Sequence, residues 1–185
     1  MNVIQGGKSL PTSTGIQITF NNLAHSDLDI HWVDFNGNST KWATVNAESK
    51  ISSATYVHHL WEIREPGSGK LHLRVVGTKD GQVFDLSTLA FGRSLQTRTA
   101  TKIKFVNGTA FDSQIYWVDW NGELKPYQVL KAGQEYVQDT YIDHLWEVRE
   151  FATQQFMARV AGKKNAQTVQ IKVRLVNDST ITVGI

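Results

Sequence analysis

A histidine, a leucine and a tryptophan follow one another twice in this chain, at 59–61 within "HHLWEIRE" and at 144–146 within "DHLWEVRE". An imidazole can donate or accept a hydrogen bond near neutral pH, and an indole offers a large apolar face. In a strand, residues two apart share a face, so each histidine lies beside its tryptophan. Glu147 and Arg149 alternate with them and are expected on the solvent face. The pair can belong to a binding site or simply to the core, where most large aromatic side chains lie.

The two triplets are part of a repeat with a period of 85 residues. Residues 17–65 align without a gap on residues 102–150, and 19 of these 49 pairs are identical. The repeat is the most informative feature of the sequence, because repeated residues mark a structural unit that occurs more than once. The identical pairs include Trp32/Trp117, Thr55/Thr140, Tyr56/Tyr141, His59/His144 and Trp61/Trp146.

The elements that position these residues are predicted to be strands. "GIQITFNN" and "TKIKFVNG" alternate apolar and polar residues, and "DIHWVDFNG" and "QIYWVDWNG" end in Asn-Gly, which is typical of type I′ hairpin turns. No segment has the pattern of an amphipathic helix. The sequence therefore predicts an all-β fold of two tandem small β-sandwich domains, at 15–95 and 96–185. Residues 1–14 are predicted to be a tail or a lead-in, and "GRSLQTRTAT" is predicted to be the linker.

Composition excludes several classes of function. The chain has 185 residues, no cysteine and a net charge of +2, so disulfides, thiolate metal sites and a strongly basic nucleic-acid or membrane surface are not expected. No signal peptide and no apolar run of membrane-spanning length are visible. We expect a cytoplasmic protein, unless a non-classical route exports it. No metal site, cofactor or nucleophile–base set is evident, so we expect a non-catalytic protein.

The second copy also resembles a known family. "YWVDWNGELKPYQVL" and "DTYIDHLWEVRE" keep the spacing W-x-x-x-x-G-E-x-x-P-Y-x-x-L and then S-Y-x-x-H-L-W, with threonine in place of the serine. This pattern resembles the β domain of the von Hippel–Lindau tumour-suppressor family. The resemblance implies a β-sandwich with a pocket that binds 4-hydroxyproline within an extended peptide. It implies as ligand-binding residues Trp117, Tyr127, Thr140, Tyr141, His144 and Trp146, and in the first copy Trp32, Trp42, Thr55, Tyr56, His59 and Trp61.

Such a pocket can be selective for physical reasons. Aromatic walls suit a rigid pyrrolidine ring, and the ring hydroxyl needs one donor and one acceptor, which Thr140 and His144 can supply. Plain proline would leave both groups buried and unpaired. Trp42 lacks the phenol of Tyr127, which makes the first copy the poorer match. The family's helical domain, which docks a ubiquitin-ligase adaptor, has no counterpart here, so no such adaptor is expected.

Other functions also fit these residues. A bivalent carbohydrate-binding lectin would stack the same aromatic faces on sugars, with the polar neighbours bonding to hydroxyls. A structural role would place all the aromatic side chains in the core. The shape of the site distinguishes the first two functions, because a proline ring needs a narrow slot and a glycan needs an open shelf. Two sites on one chain would also hold a ligand with several hydroxyprolines by avidity.

Overall fold

The computed structural model describes residues 7–175 and 181–184, and these divide into two units between Phe91 and Gly92. The strands of the first unit are β1 Gly15–Asn22, β2 Leu28–Val33, β3 Ser39–Val45, β4 Lys50–Tyr56, β5 Leu60–Arg64, β6 Leu71–Val76 and β7 Gln82–Leu86, followed by the short helix α1 Thr88–Phe91. Those of the second unit are β8 Ala100–Asn107, β9 Ser113–Val118, β10 Leu124–Leu130, β11 Glu135–Tyr141, β12 Leu145–Glu150, β13 Phe156–Ala161, β14 Gln167–Leu175 and β15 Ile181–Gly184.

Each unit contains two sheets, and the strand order matches between the units except that β15 extends one sheet of the second unit. The first unit has the orders β4-β1-β7 and β3-β2-β5-β6, and the second has β11-β8-β14-β15 and β10-β9-β12-β13. β7 pairs with β1 in parallel, as β14 does with β8, and the remaining pairs are antiparallel. β8 begins 85 residues after β1, as the sequence period requires. The predicted all-β class is confirmed, and the structure forms two β domains.

Each unit has its own hydrophobic core between its sheets. In the second unit, β8 contributes Ile103 and Phe105, and β12 contributes Trp146 and Val148. Residues two apart on these strands face the same side, so the alternation read from the sequence becomes the inner face of the sandwich. The first unit buries the matching set, which includes Ile18, Phe20, Trp61 and Ile63.

The segment before each first strand packs on the domain that follows it. Ser94 Oγ donates to the carbonyl oxygen of Val118 at 2.5 Å and accepts from the backbone N–H of Leu145 at 2.8 Å. Ser9 makes the matching contacts with Val33 and Leu60. The division falls between residues 91 and 92, four residues before the boundary predicted from the sequence. The polar "GRSLQTRTAT" segment therefore packs on the second unit, where Leu95 is buried.

The two Asn-Gly turns differ from the predicted type. A type I′ turn needs a positive φ at both central residues, but only Gly37 (φ 93°) and Gly122 (φ 87°) have one. The preceding aspartate organises the turn instead: Asp119 Oδ1 accepts from the backbone N–H of Asn121 at 2.8 Å and from that of Glu123 at 2.9 Å. Such side-chain caps favour type I geometry followed by a glycine.

The glutamate of each HLWE stretch is buried, contrary to the prediction that it faces solvent. Glu147 is 0% exposed, and its carboxylate accepts hydrogen bonds from Arg149 and Arg159. Glu62 is 1% exposed, and its carboxylate accepts hydrogen bonds from Arg64 and from Arg74 of β6 in the same way. The alternation was read correctly, but the arginines cover the carboxylate. Two guanidinium partners offset the desolvation of the buried charge.

No helix within residues 7–175 and 181–184 is both long and apolar enough to cross a lipid bilayer.

Candidate functional site

The two tryptophans of the predicted second site lie side by side on the core face of one sheet. β9 and β12 are antiparallel, and their register sets Trp117 directly opposite Trp146. Trp146 is 2% exposed and belongs to the core, and Trp117 is partly buried against the same cluster. Directly opposed residues on antiparallel strands have close Cβ atoms. The two indoles therefore lie on one face of the sheet and form the aromatic wall of the site.

A β-bulge directs Tyr127 onto this wall. The β9–β10 register shifts between Pro126 and Gln128, so that Tyr127 has no partner residue in the ladder. Its ring lies 5.0 Å from the ring of Trp146 at an interplanar angle of 85°. Bulges are a common way of redirecting a side chain at the edge of a sheet. The tyrosine remains 55% exposed, so its phenol forms the rim of the site.

His144 enters the site from a tight turn between β11 and β12. The preceding residue, Asp143, has φ 61°, and the backbone N–H of His144 donates to the carbonyl oxygen of Tyr141 at 3.2 Å. The imidazole lies 5.7 Å from the ring of Trp117 and 5.1 Å from that of Tyr141. Asp and His adopt a positive φ more readily than most residues, which explains the residue type at this position.

These side chains line a half-open pocket of about 150 Å³. That volume suits a single amino-acid residue, since sites for drug-sized ligands have roughly 300–1,000 Å³. All six residues predicted for the second site line it. The complete lining is Trp117, Trp120, Tyr127, Gln138, Asp139, Thr140, Tyr141, His144 and Trp146.

Thr140 supplies a hydroxyl inside this pocket. The residue is 4% exposed, and its Oγ1 accepts a hydrogen bond of 2.9 Å from Nε1 of Trp146. The indole therefore fixes the position of the oxygen but uses only one lone pair. The hydroxyl proton remains available to a ligand.

The imidazole of His144 is held neutral. Desolvation by burial lowers the pKa of His144 to about 4, and the Asp143 carboxylate opposes this only in part. A neutral imidazole has one nitrogen that accepts and one that donates. Near neutral pH, the site therefore combines a hydroxyl donor with an imidazole acceptor beside aromatic walls.

In the first unit the matching residues also come together. The register sets Trp32 opposite Trp61, and the unpaired bulge residue Trp42 lies 5.5 Å from the ring of Trp61. The imidazole of His59 lies 5.6 Å from the ring of Trp32 and 5.3 Å from that of Tyr56.

The polar pair of the first unit differs from that of the second. Oγ1 of Thr55 is bonded to Nδ1 of His59 at 3.1 Å, and both residues are buried. Burial lowers the pKa of His59 as well. Trp61 Nε1, which corresponds to the donor to Thr140 in the second unit, has no hydrogen-bond partner among the described residues.

Sequence reasoning missed the third aromatic wall. The ring of Trp120 lies 4.9 Å from that of His144 and 5.0 Å from that of Trp117. Phe35 occupies the same place beside His59 and Trp32. Both follow the strand, where the turn has begun and the alternation of faces no longer applies. The only signal in the sequence was an aromatic residue at this position in both copies.

The structure also places Gln138 and Asp139 in the lining, which the sequence pattern did not indicate. Within residues 7–175 and 181–184, no three His, Asp or Glu side chains are grouped so that they could hold a metal ion.

One comparison with known proteins bears on this site. The model of the VHL beta domain family matches residues 92–164. The match lies within the second unit, begins at that unit's first residue and includes all six predicted residues of its site. No curated protein matches the chain.

Proposed function

We propose that the second unit binds a hydroxyproline residue within an extended peptide, and that it does so without catalysis. The observation that carries the proposal is a buried threonine hydroxyl and a neutral imidazole lining one aromatic pocket of about 150 Å³. The match of this unit to the VHL beta domain supports the same ligand class.

The ring would enter between the aromatic walls. Trp117, Tyr127 and Trp146 offer flat apolar surfaces, and a pyrrolidine ring buries its carbons against them with little loss of conformational freedom. Its hydroxyl would accept a hydrogen bond from Thr140 and donate one to His144. Plain proline would desolvate these two groups without pairing them, at about 1–3 kcal/mol for each.

The peptide backbone has edges along which to lie. β10 and β11 flank the pocket, and each is at the end of its sheet order among the described strands. An edge strand presents unpaired N–H and C=O groups to an extended segment. The anchor residue would then supply specificity, and main-chain hydrogen bonds would supply part of the affinity.

The geometry supports a peptide ligand better than a glycan. In a lectin, the aromatic rings would form an open shelf with the polar groups at its side. Here Thr140 and Trp146 are almost wholly buried, so the hydroxyl lies inside the pocket. The exposed rim includes Tyr127, Tyr141 and the carboxylate of Asp139.

Paired peptides test the proposal. We would titrate a peptide with one central hydroxyproline, and its proline twin, against the wild-type chain, Thr140→Ala and Thr140→Ser. The wild type and Thr140→Ser should favour the hydroxylated peptide by about tenfold or more, and Thr140→Ala should lose most of that preference. Equal affinity of the wild-type chain for both peptides would refute the proposal, and tight binding of a glycan alone would favour the lectin.

A further inference from the structure

The two threonine–histidine pairs differ in how much hydrogen-bonding capacity they have left. In the first unit, Thr55 and His59 are bonded to each other at 3.1 Å, and they are only 6% and 8% exposed. The hydroxyl and one imidazole nitrogen are therefore already satisfied before any ligand arrives.

In the second unit, the corresponding groups are not bonded to each other. Thr140 accepts from Trp146 Nε1, and neither its hydroxyl proton nor the imidazole of His144 has a side-chain partner in the part of the chain that the structure describes. The imidazole of His144 also lines the pocket. One free donor and one free acceptor are what a single ligand hydroxyl requires.

The indole of the HLW triplet marks the difference between the two arrangements. In the second unit, this indole donates to the threonine oxygen. In the first unit, Trp61 is 3% exposed and its Nε1 has no partner among the described residues, while Thr55 is bonded to the imidazole. The same three residue types thus form two different hydrogen-bond patterns on matching strands.

Selectivity for a hydroxyl depends on the groups that its absence would leave unpaired. Proline in the second pocket would bury Thr140 and His144 without partners. In the first unit the same ring would leave Thr55 and His59 still bonded to each other, so that its missing hydroxyl would carry almost no penalty. The exposed indole of Trp42 replaces the phenol of Tyr127 at the rim, so that a group that can donate and accept gives way to an N–H that can only donate.

We propose that only the second unit discriminates between proline and hydroxyproline, and that the first unit does not recognise the hydroxyl group. This inference rests on the proposed function of the second unit and adds to it that the two sites are not equivalent. Any ligand that enters the first site is selected by its apolar surface.

Two full-length variants separate the sites. Thr140→Val/His144→Ala removes the polar pair of the second unit, and Thr55→Val/His59→Ala removes that of the first. With the first pair removed, the chain should keep the wild-type preference for the hydroxylated peptide. With the second pair removed, it should bind the hydroxylated peptide and its proline twin within about twofold of each other, or bind neither.

The outcomes distinguish the two proposals. If the variant without the second pair still prefers the hydroxylated peptide by about fivefold or more, the assignment to the second unit is wrong. If the variant without the first pair has no preference, the proposed function itself fails.

A measurement on the unaltered chain avoids any dependence on how well the variants fold. The imidazole NMR signals of His59 and His144 can be followed while each peptide is added. The signals of His144 should respond to the hydroxylated peptide more than to its twin. Those of His59 should respond alike to both peptides or to neither, and a response of His59 to the hydroxylated peptide alone would overturn the inference.

Discussion

At the scale of single residues, the chemistry of the candidate site depends on the charge of His144. Its imidazole is partly enclosed by Trp117, Trp120 and Tyr141, and this burial lowers its pKa to about 4. The neutral ring can accept a hydrogen bond from a ligand hydroxyl, whereas the protonated ring cannot.

The lowered pKa predicts an unusual pH dependence of binding. Affinity for the hydroxylated peptide should be nearly constant between about pH 7 and pH 5 and should fall as the pH approaches about 4. A histidine with the ordinary pKa of 6.5 would instead weaken binding from about pH 6.5 downward. Calorimetric titration at several pH values checks this, and a decline in affinity that is centred near pH 6.5 would contradict it.

The same shift has a consequence for stability. The unfolded chain takes up a proton on this histidine near pH 6.5, but the folded chain does so only near pH 4. The contribution of the neutral imidazole to stability is therefore complete above pH 6.5 and is lost as the pH falls through the window from 6.5 to 4. His144→Gln should flatten the fall in stability across that window, as measured by urea unfolding.

At the scale of elements, the turn before each histidine holds a residue in the left-handed region. His58 has φ 65°, its side chain is exposed, and its backbone N–H donates to the carbonyl oxygen of Gly77 at 2.7 Å. A side chain in this conformation costs roughly 1–2 kcal/mol relative to glycine. The chain accepts this cost at the position that directs His59 toward Trp32 and Phe35.

Replacing His58 with glycine should therefore stabilise the first unit. We expect His58→Gly to raise its free energy of unfolding by about 1 kcal/mol, because glycine adopts a positive φ without a steric clash. His58→Val should lower it, since a β-branched residue is a clear outlier in this region. Urea denaturation measures both changes, and a destabilising effect of glycine would show that the histidine side chain itself contributes.

The buried glutamates are a second feature of the elements. Burial would raise the pKa of Glu62, but hydrogen bonds from Ser39, Arg64 and Arg74 more than offset this and hold the pKa below its ordinary value. The carboxylate thus links β5 to its neighbour β6 and to β3, which lies on the far side of β2 in the same sheet. A buried charge with good partners stabilises little beyond a hydrophobic residue, but removing one partner leaves the others uncompensated.

Neutralising the carboxylate should therefore be costly. Glu147→Gln is expected to lower the free energy of unfolding of the second unit by about 3 kcal/mol, because Arg149 and Arg159 would lose their shared anion. Glu135→Gln serves as the control, since the ion pair of Glu135 with Lys104 is largely exposed and is worth at most about 1 kcal/mol. Equal effects of the two substitutions on thermal unfolding would contradict the interpretation.

At the scale of the whole molecule, the chain consists of two units with separate cores. The core cluster of the first unit lies between residues 16 and 91, and that of the second between residues 103 and 171. Each unit also has its own pair of sheets and its own lead-in segment. Units with independent cores are expected to fold independently.

Fragments test where one unit ends and the next begins. Residues 1–91 and 92–185 should each unfold cooperatively. A fragment of residues 96–185 should be less stable than 92–185 by about 2 kcal/mol or more, because it lacks the bonds of Ser94 and the buried side chain of Leu95. If the fragments 92–185 and 96–185 were equally stable, the lead-in segment would not belong to the second unit.

The sequence by itself determined the strands, their inner faces and the residues gathered at the second pocket. Period-two alternation selects which side chains share a face, and a matched set of residues 85 positions apart fixes the same register twice. Trp117, Tyr127, Thr140 and His144 were placed in one pocket by the resemblance to the von Hippel–Lindau β domain, whose spacing the second copy keeps.

Tertiary structure alone decided the features that depend on other strands and on turns. Trp120 reaches the pocket because the chain turns after β9, and Glu147 is buried because Arg159 arrives from the neighbouring strand. The different bonds of Thr55 and Thr140 arise between identical residue types at matching positions. The local periodicity of the sequence predicts only on which face of a strand a side chain lies. Which atom the side chain then contacts depends on distances that are set by the residues packed around it.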